Sequence, residues 1–173
     1  MSAEVTIRSF EDRDAARVRE LFIEVNWLLA PSDMHEAFEA YIARSLDEEM
    51  DRVSAYYGER GGGFWVAIRD ARLVGMFGLE PATTGSFELR RMYVDPSIRR
   101  AGIATLMLRF AEDECRRLGA AKLELSTSEL QPAAIALYRR AGYHQVREAV
   151  AVDASNKTIG GGIRRFYFEK VLA

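Results

Sequence analysis

The chain has few of the residues that staple or metallate a fold. Among its 173 residues there is one cysteine, Cys115, and two isolated histidines, His35 and His144. A lone thiol excludes an internal disulfide framework, and this set does not make a metal site. Charge of one sign is lacking as well. A formal net charge of −2 gives no general pull toward nucleic acid or an acidic membrane, and neither is expected as a partner. No long apolar run or signal-peptide pattern occurs, so a cytoplasmic location is expected. Internal repeats and low-complexity tails are missing too. What remains is an ordinary globular composition, of a length that fits one domain over residues 1–173 with a full core.

The informative stretch is Glu88 to Thr105, ELRRMYVDPSIRRAGIAT. Glu88 to Val94 is strand-like and ends in β-formers. Asp95-Pro96-Ser97 punctuates it. From Arg99-Arg100-Ala101-Gly102-Ile103-Ala104-Thr105 the chain enters a long amphipathic run. The first N–H groups of a helix lack intrahelical partners, and its dipole puts partial positive charge there. Gly102 and Ala104 remove bulk, and Arg99 and Arg100 add two cations. A strand, a turn and such a helix start make a phosphate cradle. It is neither a dinucleotide fingerprint, since no G-x-G-x-x-G series is present, nor a P-loop, since no Gly-Lys-Ser/Thr follows.

These residues resemble the GNAT superfamily of acetyl-CoA-dependent N-acetyltransferases, whose Arg/Gln-x-x-Gly-x-Gly/Ala motif is met by Arg99-x-x-Gly102-x-Ala104. A second block, from Gln131 through Tyr138 to Gly142-Tyr143, resembles the family's Asn-x-x-Ala-x-x-x-Tyr segment, with glutamine in place of the more frequent asparagine. The two blocks stand in the family's order and spacing. With the closing Phe168 to Leu172, the resemblance covers most of the chain.

Hydrophobic periodicity supplies the elements. Val5 to Arg8 reads as a strand. A helix capped by Glu11 or Asp12 carries Ala15, Val18, Phe22, Val25 and Leu29, and a second helix runs from about His35 to Tyr57. Phe64–Ile68 and Leu73–Leu79 form a hairpin around Arg69–Arg72. After Gly102 a helix buries Ala104, Met107, Leu108, Ala111, Cys115 and Leu118, with Glu112 facing out. Lys122–Thr127 is a strand that pairs in parallel with the central one. A short helix opens at Pro132, strands begin at Tyr143 and Arg165, and Ala149–Gly162 reads as a long mobile loop. Pattern alone gives a mixed α/β domain. The resemblance implies a mostly antiparallel sheet with a central parallel pair splayed for coenzyme A, flanked by about four helices.

The resemblance also implies the roles. The helix start from Arg99 to Thr105 holds the pyrophosphate of acetyl-CoA. The backbone of Met92, Tyr93 and Val94 pairs with pantetheine as an added strand, and an N–H near Met92 faces the thioester carbonyl. Gln131 meets the pantetheine chain. Tyr138 donates the proton to the departing thiolate, and a phenol near pKa ~10 suits that task. Glu88, four residues before Met92 and so expected on its face, is the candidate base, with Glu124 in reserve. The first two helices and the loop before the last strand are expected to shape the amine site; His35 and His144 are assigned no role, although His35 stands where it could line that pocket. The expected partners are acetyl-CoA and a primary amine, with a homodimer left open. A non-catalytic acyl-CoA-binding module shares the cradle and is the alternative.

Overall fold

The computed structural model describes residues 4–98 and 101–172. Seven strands form one sheet: β1 (Val5–Ser9), β2 (Gly63–Arg69), β3 (Arg72–Pro81), β4 (Ser86–Val94), β5 (Lys122–Ser128), β6 (His144–Ala151) and β7 (Ile163–Val171). Their spatial order is β1-β2-β3-β4-β5-β7-β6. All neighbours are antiparallel except β4 and β5. The helices are α1 (Ala15–Leu29), α2 (His35–Ser45), α3 (Val53–Glu59), α4 (Ile103–Arg117) and α5 (Pro132–Arg140). This is the mixed sheet with one parallel pair that the resemblance implied.

Each face of the sheet carries its own core. Helices α1–α3 cover one face through Val18, Phe22, Tyr41, Ile42, Val53 and Tyr57. Helices α4 and α5 cover the other through Met107, Ala111, Cys115 and Tyr138. The α4 stripe holds with three exceptions, the first being Ala104, which is only half-buried. Leu118 is exposed, and Glu112 is buried because the Tyr143 hydroxyl and the Lys170 ammonium both donate to it.

Two expected boundaries move and one holds. The helix expected from His35 to Tyr57 is broken by a π-helical turn at Leu46–Met50, and the chain then restarts as α3. The helical run begins as a 3₁₀ turn at Asp12–Asp14 capped at Glu11, as expected, through a capping box in which the Asp14 carboxylate accepts the Glu11 N–H at 2.8 Å, and Arg8 holds the same carboxylate with two arms. Strand β6 runs on to Ala151, so the connection to β7 is shorter than expected.

Two features open the sheet. Parallel pairing of β4 with β5 spans only Ser86↔Lys122, Phe87↔Leu123 and Glu88↔Glu124. Beyond Glu88 the two strands part. On its other side β4 is bulged. Gly78 pairs with Arg90 and Met76 with Tyr93, so Phe77 faces both Arg91 and Met92. Arg91 takes φ 55°, a left-handed conformation that costs a non-glycine residue about 1–2 kcal/mol. The extra residue bends β4 away from β5 and reverses its side-chain alternation. Phe87 and Leu89 pack on the α4–α5 side, and so do Met92 and Val94. Arg91 and Tyr93 face α1–α3.

Candidate functional site

A cleft of about 790 Å³, counted out to its open mouth, lies where β4 and β5 part. Helix α4 follows the parted end of β4 after the connection 95–102. Gly102 precedes it with φ 74°, a turn that L side chains rarely adopt, and a β-carbon there would meet nothing within 4 Å. Its carbonyl accepts from Leu106, so the N–H groups of Ile103, Ala104 and Thr105 have no intrahelical acceptor. The glycine thus serves the backbone turn and leaves the helix start open. Arg99 and Arg100, expected to add charge here, lie outside the described residues. Ala101 is exposed, and Ile103 anchors the turn in the core.

Helix α5 brings two residues to the cleft. Pro132 takes the first helical position, where its missing N–H costs nothing. Just before it, the Gln131 side-chain oxygen accepts the buried Thr127 hydroxyl at 2.7 Å. The longer amide therefore reaches back to the end of β5 while still lining the cleft. Tyr138 is 6% exposed, packs edge-on against Tyr143 and lies near Phe168. Its hydroxyl opens on the cleft. Burial, and then the neighbouring Tyr93, push this phenol above its ordinary value. It is fully protonated at neutral pH and is a hydrogen-bond donor rather than a strong acid.

The opposite wall is charged. The Glu88 carboxylate lies 3.3 Å from Lys157 Nζ and 3.6 Å from Arg90 Nε, on the α1–α3 side of β4. It does not share a face with Met92, because the bulge intervenes. Glu124 is its register partner on β5 but is held by Lys122 at 3.4 Å and does not line this cleft. The two candidate bases thus stand opposite each other at the last paired position, with Glu88 alone at the cleft wall. Cys115 is a core residue, its thiol pushed up to about 12 by burial. His35 stacks on Trp27 at 4.8 Å and does not line the cleft.

Behind the wall is a cluster that the sequence reading missed. Glu49 is 0% exposed and takes a two-armed pair from Arg91 at 3.0 Å, with Arg90 Nη2 also at 3.0 Å. Arg91 donates to the Tyr41 hydroxyl at 2.7 Å, and Arg90 bonds Glu80 at 3.0 Å. The Tyr57 hydroxyl donates to Glu49 at 2.8 Å, its ring seated on Gly78, where a β-carbon would come within 2.6 Å. Burial alone would raise the Glu49 carboxyl, but Arg91, Arg90 and Tyr57 outweigh it and hold it below its usual value. Among the described residues no buried side-chain polar atom lacks a partner. A signal for Glu49 was present: it falls on the apolar stripe Ile42, Leu46, Val53 at helical spacing.

The connection from β6 to β7 closes onto this cluster. The Asn156 carbonyl accepts from both Arg91 and Arg90, and its side-chain amide reaches Glu49 and Tyr56 at 3.4 Å. Arg44 also holds the Ala154 carbonyl, at 2.6 Å. The loop expected to be mobile is anchored at its centre by buried charge. Its Lys157 and Ile159 line the cleft.

The family model described as Acetyltransferase (GNAT) family matches residues 31–143. The chain is 31% identical over 129 residues to N-acetyltransferase 8 of Homo sapiens, covering 71% of this chain and 55% of that protein. It is 30% identical over 107 residues to the uncharacterized N-acetyltransferase YjgM of Escherichia coli, covering 60% and 64%. The chain therefore spans somewhat more than half the length of these relatives. Among solved structures, PaiA N-acetyltransferase of Thermoplasma acidophilum in complex with coenzyme A superposes with a TM-score of 0.76 at 20% identity, covering 97% of this chain and 99% of that one. YncA of Salmonella typhimurium, a putative acetyltransferase with its cofactor acetyl-CoA, gives 0.74 at 19% identity, covering 98% and 94%. At such identities these two likenesses show the fold.

Proposed function

Since the chain belongs to the GNAT acetyltransferase family, we propose that it is an acetyl-CoA-dependent N-acetyltransferase acting on a primary amine by direct attack in a ternary complex. The observation that carries this reading is the opening between β4 and β5. A carboxylate and a phenol line its walls, and the parted end of β4 leads through one short connection into the helix start at Gly102. An extended ligand fits such an opening because the facing backbone groups there have no strand partner.

The N-terminus of α4, from Ala101 to Thr105, would hold a pyrophosphate, as helix dipoles and orphan N–H groups favour anions. The exposed edge of β4 at Met92–Val94 would pair with the pantetheine amides, supported by Gln131. Acetyl-CoA, when bound, supplies the activated acyl group. An N–H of the bulged segment near Met92 stabilises negative charge developing on the carbonyl oxygen. Glu88, directly or through water, takes the proton from the attacking amine. Tyr138 keeps its proton at rest and donates to the sulfur as charge builds there. Each of these two groups is worth about 10²–10⁴ in rate.

The test is release of free thiol from acetyl-CoA by the purified protein with a broad set of primary amines. Acetyl-CoA binding without thiol release from any amine would make the chain an acyl-CoA-binding module instead. Glu88→Gln should lower activity most near neutral pH and recover as pH rises, because the amine then needs less help in losing its proton. If Glu88→Gln is silent while Glu124→Gln is not, the base belongs to β5.

A further inference from the structure

Among the described residues four cations line the cleft: Arg90, Arg91, Lys157 and Arg165. Three are already paired. Arg90 has Glu49, Glu80 and Glu88, Arg91 has Glu49, and Lys157 has Glu88 at 3.3 Å. Arg165 has no carboxylate within 4 Å among the described residues. Its Nη2 donates to the neutral Ser126 hydroxyl at 2.9 Å, which leaves most of a five-donor guanidinium uncommitted. The acidic residues on the same sheet face are engaged elsewhere, Glu88 by Lys157 and Arg90. Glu124 and Glu169 both hold Lys122, at 3.4 and 2.9 Å.

Position matters as much as charge. Arg165 stands on β7 opposite Ser128, on the far side of the opening from β4. Glu88 stands on the near side, at the last β4–β5 pair. Both residues, together with Ser126 and Lys157, line the cleft and also the groove that continues from it over β5, β7 and β6. A molecule seated at this junction meets a carboxylate on one side and a half-buried guanidinium on the other. A planar guanidinium with a free fork matches a carboxylate with two parallel bonds, which a lysine or hydroxyl cannot do.

We infer that the acceptor is a small amine that also bears a carboxylate, a free amino acid or a close analogue. Arg165 binds its carboxylate, with Ser126 holding the guanidinium in place, while Glu88 receives the amine end. Arg165 is then the residue that sets acceptor specificity. This rests on the reading of the cleft as an N-acetyltransferase site, and it names the substrate class of that site.

The experiment uses matched probes: phenylalanine, phenylalanine amide and phenethylamine as acceptors, and N-acetylphenylalanine and its amide as ligands. In thiol-release kinetics at saturating acetyl-CoA, the free acid should be favoured over both carboxylate-free amines by roughly 10–100-fold in kcat/KM, the worth of a charge-assisted bond. Arg165→Gln should erase that preference through the acceptor KM, with kcat and the KM for acetyl-CoA within a few-fold. Arg165→Lys should restore part of it. Calorimetry reads the same site without turnover. N-acetylphenylalanine should bind wild-type protein more tightly than its amide by a similar factor, with or without coenzyme A, and Arg165→Gln should equalise them. Equal handling of acid and amide by the wild-type protein, or equal losses for both in Arg165→Gln, would overturn the inference. Failure of the protein to bind coenzyme A or release thiol would instead overturn the enzymatic reading, while the calorimetric comparison still decides the role of Arg165.

Discussion

The two sides of the opened sheet are made of different materials. On the α4–α5 side the surface offered to a ligand is largely backbone: a helix start, an unpaired strand edge and an amide, over an apolar core. On the α1–α3 side it is long charged side chains, Arg90, Arg91, Glu88 and Lys157, locked from behind by Glu49 and Glu80. Backbone features position a ligand of fixed chemistry. A locked charge cluster positions the protein's own strand, and here it holds the bulge that opens the sheet. The strain of Arg91 at φ 55° persists because its guanidinium is gripped by Glu49 and Tyr41.

The comparison breaks most sharply at Glu49. Glu49→Ala leaves two buried guanidiniums sharing one fewer carboxylate, and removing one partner of a buried pair costs about 3–5 kcal/mol. Urea unfolding should show that loss at pH 7. The sign with pH follows from the depressed Glu49 carboxyl. Its contribution is complete above the unfolded-state value near 4.5 and disappears as pH falls through the lower folded-state value. The gap between wild type and variant should therefore narrow in acid. A constant gap down to pH 3 would mean that packing, not charge, is what Glu49 supplies.

On the other side the expected losses are in function. Tyr138→Phe removes a hydroxyl that only faces the cleft, so stability should stay within about 1 kcal/mol. Turnover should fall by roughly 10–10³, with acetyl-CoA affinity within a few-fold, because the donor is needed late. Full turnover with the chemical step limiting would leave Tyr138 a core residue. Gly102→Glu should act on binding. It puts an anion at the open helix start and forces an L side chain to φ 74°. Acetyl-CoA affinity should drop roughly 10–100-fold by calorimetry in a protein that remains folded. Unchanged affinity would remove the α4 N-terminus from the site.

How much was readable in advance follows the same division. The strand, turn and helix start around Gly102 are contiguous in the chain, and backbone geometry of that kind is written locally. The sheet with its one parallel pair followed from the order of elements and the resemblance. The charged side was opaque because its central contacts, from Glu49 to Arg90 and Arg91, join residues more than forty positions apart. Two adjacent arginines in a central strand read as a solvated segment unless their partner is known. The bulge is equally non-local. Nothing about Arg91 alone demands a positive φ, so the face-sharing expected of Glu88 and Met92 failed at that one residue. The β6–β7 loop misled for a related reason. Its polarity is real, but Asn156 spends that polarity on buried arginines rather than on water.

That loop gives the smallest and most local test. Asn156 holds the cluster in two ways, through its carbonyl, which accepts from Arg90 and Arg91, and through its side-chain amide, which reaches Glu49 and Tyr56 at 3.4 Å. Asn156→Ala removes only the second. Long amide contacts of this kind are worth about 0.5–1.5 kcal/mol, so global stability should change by no more than about 1 kcal/mol by the same measure. The local effect should exceed the global one. Hydrogen exchange at residues 153–159 should accelerate by roughly tenfold, since local opening now breaks one set of bonds fewer, while exchange in β4 and α4 stays unchanged. The carbonyl bonds to the arginines remain in this variant, so the loop should loosen without leaving the cleft. If exchange in the loop is unaffected, the Arg44 bond to Ala154 and the carbonyl of Asn156 are sufficient anchors, and the side chain serves the cluster rather than the loop. If exchange instead rises across β4 as well, the amide is part of what holds the bulge, and the charged side of the opening is tighter than its individual bonds suggest.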